Sequence, residues 1–327
     1  MDKKGKLFNR RENMNFRQTL RSTVLAIAFA FAFASTSVLA DELKIGLVQI
    51  NQQALFFTQM NAGAQAAADA AGAELFIFNA NNDPAKQADA IETYIAGGVD
   101  GLVVVAIDVN GVMPSIVDAD AAGIPVAAVD AILPEGPQIA QVGVDNELAG
   151  QSMAVHLMDY LDGRGSESVE LGIVGALNSF IQNVRQKGFE DGISGDARIT
   201  IVGVVDGRNV QDNALRAAEN LITANPGIDV IYATGEPALV GAIAAVESQG
   251  RTGDIKVIGW DLTGEVIAGI DAGYVTAVIQ QDPAGMGAAA VNAVLNSIAG
   301  EAIEYDVAVP VTIVTTENVD PYREVFK

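Results

Sequence analysis

From residue 44 onward the chain alternates between two hydrophobic periods. KIGLVQI, 44–50, places Ile45, Leu47, Val48 and Ile50 in a near-continuous apolar run, the signature of a strand covered on both faces of a parallel sheet. A polar turn (Asn51, Gln52, Gln53) follows, and then an aromatic pair, Phe56 and Phe57, opens an Ala-rich helical run over 58–71. ELFIFN (74–79) precedes helical PAKQADAIETYIAGG (84–98), and GLVVVAI (101–107) precedes VMPSIVDADAAG (112–123) with PVAAVD (125–130) directly behind. Gly72, Gly97-Gly98 and Gly123 stand where these helices should stop, as C-terminal capping predicts.

After AILPEGPQIA (131–140) the rhythm restarts at QVGVDNELAG (141–150). Strand-like VELGIVG (169–175), RITIVGVV (198–205), IDVIYAT (228–234), IKVIGWD (255–261) and YVTAVIQQ (274–281) each precede a helical run. Those runs are 180–193, 210–225, 237–250, 263–273 and 283–300, and VPVTIVTT (309–316) comes last. Repeated βαβ units predict a parallel α/β fold. The strands are too many for one sheet of ordinary size, so two sheets of five or six strands are expected, as two lobes with a cleft between their strand ends. No Pro-rich linker separates them, and the units are regular in spacing without repeating in sequence. Ligands of open α/β sheets bind beyond the carboxyl ends of the strands, which puts Asn51 to Phe57 at such a site. The competing role for Phe56 and Phe57 is a hydrophobic staple into the helix that follows.

The first 40 residues break the pattern. Seven bases (Lys3, Lys4, Lys6, Arg10, Arg11, Arg17, Arg21) precede an apolar run from Val24 to Ala34, and SVLA, 37–40, suits cleavage after Ala40. These are the three regions of a secretory signal peptide, and the run is shorter than the ~18 residues of a spanning helix. The expected mature protein is soluble and exported. Removing those seven bases together with Asp2 and Glu12 moves the net charge from −22 to −27. A surface that anionic disfavours nucleic acid and anionic lipid as partners.

Composition narrows the chemistry further. With no Cys there is neither a disulfide framework nor a thiol nucleophile, and the single His156 sits at helical spacing in MAVHLMDYL. No phosphate-binding loop, dinucleotide fingerprint, zinc helix or nucleophile elbow occurs after residue 40, so no cofactor, metal or catalytic residue is expected. What recurs is a carboxylate or amide at a strand's carboxyl end: Asp130, Asp261 and Gln281. An ionised carboxylate there accepts hydrogen bonds from neighbouring hydroxyls, each worth about 1.5–3 kcal/mol. The alternative for each is a helix N-cap.

With these residues in view, the chain resembles the ribose-type (type I) periplasmic sugar-binding proteins of ABC importers, nearer the ribose/fructose-binding branch. The resemblance spans nearly all of the chain after residue 40. It is carried by LFF after the first strand, NANNDPAKQADAIETYIAGGVDGLVV at 79–104, AAGIPVAAVD at 121–130, VGVDN at 142–146, VRQKGF at 184–189, VIGWD at 257–261 and IQQDP at 279–283. It implies two Rossmann-like lobes, 41–144 plus 282–310 and 145–281 plus 311–327, joined by a three-crossing hinge near 144–145, 281–282 and 308–311. It further implies that Phe56 and Phe57 cover a sugar ring, that Asp130 and Asp261 grip hydroxyls, and that Gln281 binds a hydroxyl at the hinge. Asn183 and Arg185 fall where such proteins place cleft arginines. Ile50, Ala54, Val105, Ala131, Asn209 and Gly235 depart from the ribose pattern, and EPALVGA at 236–242 with QQDP is closer to the fructose type.

The function expected from this resemblance is delivery, by a periplasmic monomer, of a monosaccharide or polyol to an inner-membrane ABC permease by hinge closure. A chemoreceptor or sensor kinase is a compatible further partner. The alternative is an α/β enzyme working through carboxylates on a sugar. A lactose-repressor-like regulator shares the lobes but needs a basic helix-turn-helix where this chain has the leader.

Overall fold

A computed structural model of the chain describes residues 42–50, 52, 55–165 and 168–326. The proposed leader, 1–40, and the turn residues Asn51, Gln53 and Ala54 lie outside the described residues. The first sheet contains β1 (Lys44–Gln49), β2 (Glu74–Asn79), β3 (Gly101–Val104), β4 (Val126–Val129), β5 (Ala140–Gly143) and β11 (Asp306–Ala308), in the order β11-β5-β4-β3-β1-β2. The second contains β6 (Val169–Gly175), β7 (Ile199–Asp206), β8 (Val230–Ala233), β9 (Lys256–Trp260), β10 (Val275–Gln280) and β12 (Thr312–Val314), in the order β12-β10-β9-β8-β6-β7. All pairs are parallel except β10–β12. These are two α/β lobes, as the periodicity predicts.

Helices cover both faces of each sheet. In the first lobe α1 (Leu55–Ala71) and α9 (Pro283–Ile298) bury Met60, Ala64, Met286 and Ala290 against Ile45, Leu47 and Val103. On the opposite face α2 (Pro84–Gly97) and α3 (Met113–Ala121) bury Ile91 and Ile116 against Val48, Leu102 and Val104. The second lobe repeats the plan. There α4 (Asn146–Arg164) and α5 (Phe180–Ile193) cover one face, while α6 (Gln211–Ala224), α7 (Glu236–Ser248) and α8 (Gly264–Asp271) cover the other. Gly72, Gly98 and Gly123 adopt positive φ where the helices end, the left-handed stop that a side chain resists.

Four boundaries differ from the hydrophobic pattern. Helix α1 begins at Leu55, so the aromatic pair lies inside its first turn. Strand β3 ends at Val104 because the buried Gln87 side chain takes over the backbone beyond it, donating to Val105 O (2.8 Å) and accepting from Ile107 N (2.9 Å). The three-residue β11 carries only Val307 and Ala308 as apolar residues, adjacent to each other, too little for a period-2 signal. A 3-10 turn at Asp320–Tyr322 follows β12, in a stretch to which the pattern assigns no element.

The chain passes from the first sheet to the second after β5 and between β11 and β12, and returns to the first after β10. The carboxyl ends of β4, β9 and β10 therefore face one crevice.

Candidate functional site

The crevice holds a cavity of about 500 Å³ with walls from both lobes. The first lobe contributes Phe56 and Phe57 from the opening turn of α1 and Asp130 from the end of β4. Arg185 on α5, Asp261 after β9, and Gln280 and Gln281 at the end of β10 come from the second. Six of the seven residues singled out from the sequence thus line one cavity.

Phe56 and Phe57 meet edge to face, with centroids 5.3 Å apart and rings at 85°. Both also pack on the first lobe's core, but from inside the first turn of α1 rather than from before its N-cap, so the pair is a core edge and cavity wall and not a staple. Asp130 and Asp261 occupy matching places in the two lobes. Each follows its sheet's fourth strand with positive φ, 68° and 65°, and each N–H donates 2.8 Å to the neighbouring strand, to Val142 O and Ile279 O. Left-handed backbone costs most residues about 1–2 kcal/mol, least for Gly, Asn and Asp. Here it turns both carboxylates off the strand ends into the crevice.

Neither aspartate caps a helix. Thr263 is the N-cap of α8, accepting from Val266 N, and Asp282 caps α9, accepting from Gly285 N at 2.8 Å. Gln281 instead donates to both Asp261 oxygens, at 2.9 and 3.1 Å, and Gln280 accepts from Leu262 N at 2.9 Å. The loop that carries Asp261 is thereby tied to the end of β10.

Arg185 is the buried cation of the site. Its Nε donates to Asn146 Oδ1 at 2.8 Å, and its guanidinium lies 3.7 Å from the Trp260 ring centroid, within cation–π range. Trp260 is a core residue, donating to Tyr232 OH at 2.8 Å, and serves as the shelf that holds Arg185. Burial pushes the Asp130 carboxyl up to about 6, with Arg185 pulling it down and Asp261 pushing it further up. Asp261 is likewise raised by burial and held back by Arg185 and the Gln281 hydrogen bonds. Glu236, on the cavity wall at the first turn of α7, is raised by burial and by Asp261 and Glu265.

Asn183 is not brought to the cavity. It is exposed, and its side chain donates to Leu177 O at 3.1 Å. The helix register decides this, because residues three apart share a face and residues two apart do not. With Arg185 turned inward, Gln182 joins it and Asn183 turns out. Gln182, which no local sequence signal marks, accepts from Thr234 Oγ1 and donates to Asn209 Oδ1, both at 2.7 Å. A Cβ on Gly235 would lie 2.8 Å from the Gln182 amide carbon. Two departures from the ribose pattern, Asn209 and Gly235, are therefore coupled: one bonds Gln182 and the other leaves it room. Of the other departures, Val105 is fully buried in the first lobe's core. Ala131 lines a second cavity of about 480 Å³, which shares Asp130 and Ile181 with the first but lacks the aromatic pair and Asp261.

The family model described as a periplasmic binding protein domain matches residues 45–302. The chain belongs to this family. Among curated relatives of this binding protein is the ribose import binding protein RbsB of Bacillus subtilis, 28% identical over 275 residues, covering 84% of this chain and 88% of the relative. The xylitol-binding protein of Mycolicibacterium smegmatis is 27% identical over 290 residues, covering 87% and 80%. A solved ABC transporter solute binding protein from Mycobacterium smegmatis with bound glycerol superposes with a TM-score of 0.74 at 30% identity, covering 86% of this chain and 96% of that one. The ribose-type resemblance and the two-lobed α/β architecture stand on these matches together with the sheets described above.

Proposed function

We propose that the protein is a periplasmic solute-binding protein that takes up one small polyhydroxylated ligand, a monosaccharide or polyol, and presents it to an ABC permease. The observation that carries this reading is the placement of Asp130 and Asp261 on opposite lobes of one cavity that Phe56 and Phe57 also line. A sugar or polyol has a C–H face that stacks on aromatic rings and hydroxyls that donate to carboxylates. A ligand touching both lobes favours the closed arrangement through that differential contact. In this reading residues 41–144 plus 282–310 and 145–281 plus 311–327 move as units about the three crossings. The relatives that bind ribose and xylitol support the ligand class.

The ligand leaves unchanged. In this reading Asp130 and Asp261 act as acceptors for ligand hydroxyls, with Glu236 on the same wall. Calorimetric titration with pentoses, hexoses, deoxy-sugars and polyols tests the reading. Saturable binding of one of them and its unaltered recovery are expected; no binding across the panel, or recovery of a modified sugar, sinks it. Export follows cleavage after Ala40. Protein secreted by the native host should begin at Asp41 or within a residue or two, and retention of Val24 to Ala34 would contradict this.

A further inference from the structure

The segment after β12 reaches the ligand cavity by running alongside α8. Val319 is buried in the core that α6, α7 and α8 share, and Tyr322 and Phe326 pack against the same core. Arg323 grips the last residue of α8 with both terminal nitrogens, NH1 to Asp271 Oδ2 and NH2 to Asp271 Oδ1, each at 2.8 Å. Its Nε donates to Asp320 at 2.8 Å. At the first residue of α8, Phe326 O lies 3.3 Å from where a Cβ on Gly264 would sit. The segment thus spans α8 from end to end. It delivers Val325 and Phe326 to the cavity wall beside Thr263, in the loop that carries Asp261.

The Arg323–Asp271 pair is about one-third to one-half exposed. Pairs that open to water add little to folding stability, whereas two parallel N–H···O bonds fix relative position well. The pair is therefore better suited to setting where the segment lies than to holding the fold together.

We propose that residues 319–326 form a specificity wall of the ligand cavity. Val325 and Phe326 limit how large a polyol fits against Asp261, and the Arg323–Asp271 pair keeps that wall in register with the Asp261 loop. The proposal rests on the sugar- and polyol-binding reading above.

Titration of D-ribose, xylitol and D-allose into wild type, Val325→Ala, Val325→Trp and Arg323→Gln tests it. Val325 is 46% exposed, so both substitutions there should leave the ligand-free melting temperature close to wild type. Bulk added at a pocket wall discriminates ligands by about tenfold or more. Val325→Trp should weaken the largest probe that wild type binds by about that factor and spare the smaller ones. Val325→Ala should relax the same preference. Arg323→Gln should speed ligand release without lowering the ligand-free melting temperature, a combination that a purely structural pair does not produce. Because the chain has no Cys, Val325→Cys also provides a unique label, and bound probe should slow its reaction with a maleimide. A wild type that binds none of the three probes overturns the solute-binding reading, and this proposal with it. A wild type that binds, with affinity, selectivity and release unchanged in the variants and labelling unaffected by ligand, overturns the wall alone.

Discussion

At the scale of single residues, the site depends on which carboxylates remain charged. Asp261 holds two hydrogen bonds from Gln281 and is left to accept more from a ligand. Removing it deletes at least one charge-assisted hydrogen bond, worth about 1.5–3 kcal/mol. Asp261→Ala should therefore weaken binding of the native sugar or polyol about ten- to a hundredfold, as read by calorimetry on a folded variant. Asp130 offers a pH test. Its folded pKa of about 6 lies above the ordinary carboxylate value of 3.8. Between those values the folded chain keeps a proton that the unfolded chain has released, so this group's contribution to stability falls as pH rises through the window. A ligand hydroxyl donates more strongly to the ionised carboxylate, so affinity should rise as pH passes through the folded pKa of about 6. Measured near pH 5 and pH 7.5, wild type should bind more tightly at the higher value. Asp130→Asn should flatten that dependence, leaving only the share of Asp261 and Glu236, whose pKa values are raised too.

At the scale of elements, each lobe holds part of its cavity wall, the aromatic pair in the first and Arg185 in the second, on a helix pair that crosses at glycine. In the first lobe a Cβ on Gly63 would meet Ala284 Cα at 2.7 Å, and one on Gly287 would meet Ala64 N at 3.0 Å; this crossing of α1 and α9 supports Phe56 and Phe57. In the second, a Cβ on Gly188 would lie 3.0 Å from Glu147 Cα, and one on Gly150 would lie 2.9 Å from Phe189 N. That crossing of α4 and α5 supports Arg185, three residues before Gly188. Backbone cannot yield as a flexible side chain does, so Gly188→Ala should cost about 1–3 kcal/mol. It should also weaken ligand binding by shifting Arg185 off Trp260. Gly163→Ala, on α4 where the added carbon meets nothing within 4 Å beyond its own helix turn and chain neighbours, should instead match or slightly exceed wild-type stability. Thermal melts of the two variants side by side check the contrast.

At the scale of the whole molecule, the two lobes are copies of one plan. The strand orders match position for position. Asp100 accepts from Lys44 N and Asp229 from Glu170 N, both at 2.8 Å, at corresponding strand starts. Positive φ recurs at Asn81-Asn82 after β2 and at Arg208-Asn209 after β7. A site shared between two such copies couples ligand binding to their separation, because Asp130 comes from one lobe and Asp261 from the other. Small-angle scattering should show a smaller radius of gyration with saturating ligand. Asp261→Ala should lose most of that compaction even at concentrations that saturate it, and equal compaction in variant and wild type would argue against a bridging role.

Much of this is legible in the amino-acid sequence alone. Apolar runs of strand length, helical runs ended by glycine and the turn chemistry between them specify two α/β lobes, because period and punctuation are local properties of the backbone. The same locality explains why Phe56, Phe57, Asp130, Asp261 and Gln281 stood out: each sits at the mouth of its own strand or helix. What local pattern cannot carry is the rotational phase of a helix against a distant partner, and that phase decided the rest. It turned Gln182 and Arg185 inward and Asn183 to solvent, set Trp260 under a guanidinium from another element, and linked Asn209 to Gly235 through one amide. The approach of Val325 and Phe326 to the cavity also depends on Arg323 meeting Asp271 some fifty residues earlier (|i−j| = 52). No periodicity in the sequence marks such a contact, because it exists only once β10 and β12 have paired and α8 is in place.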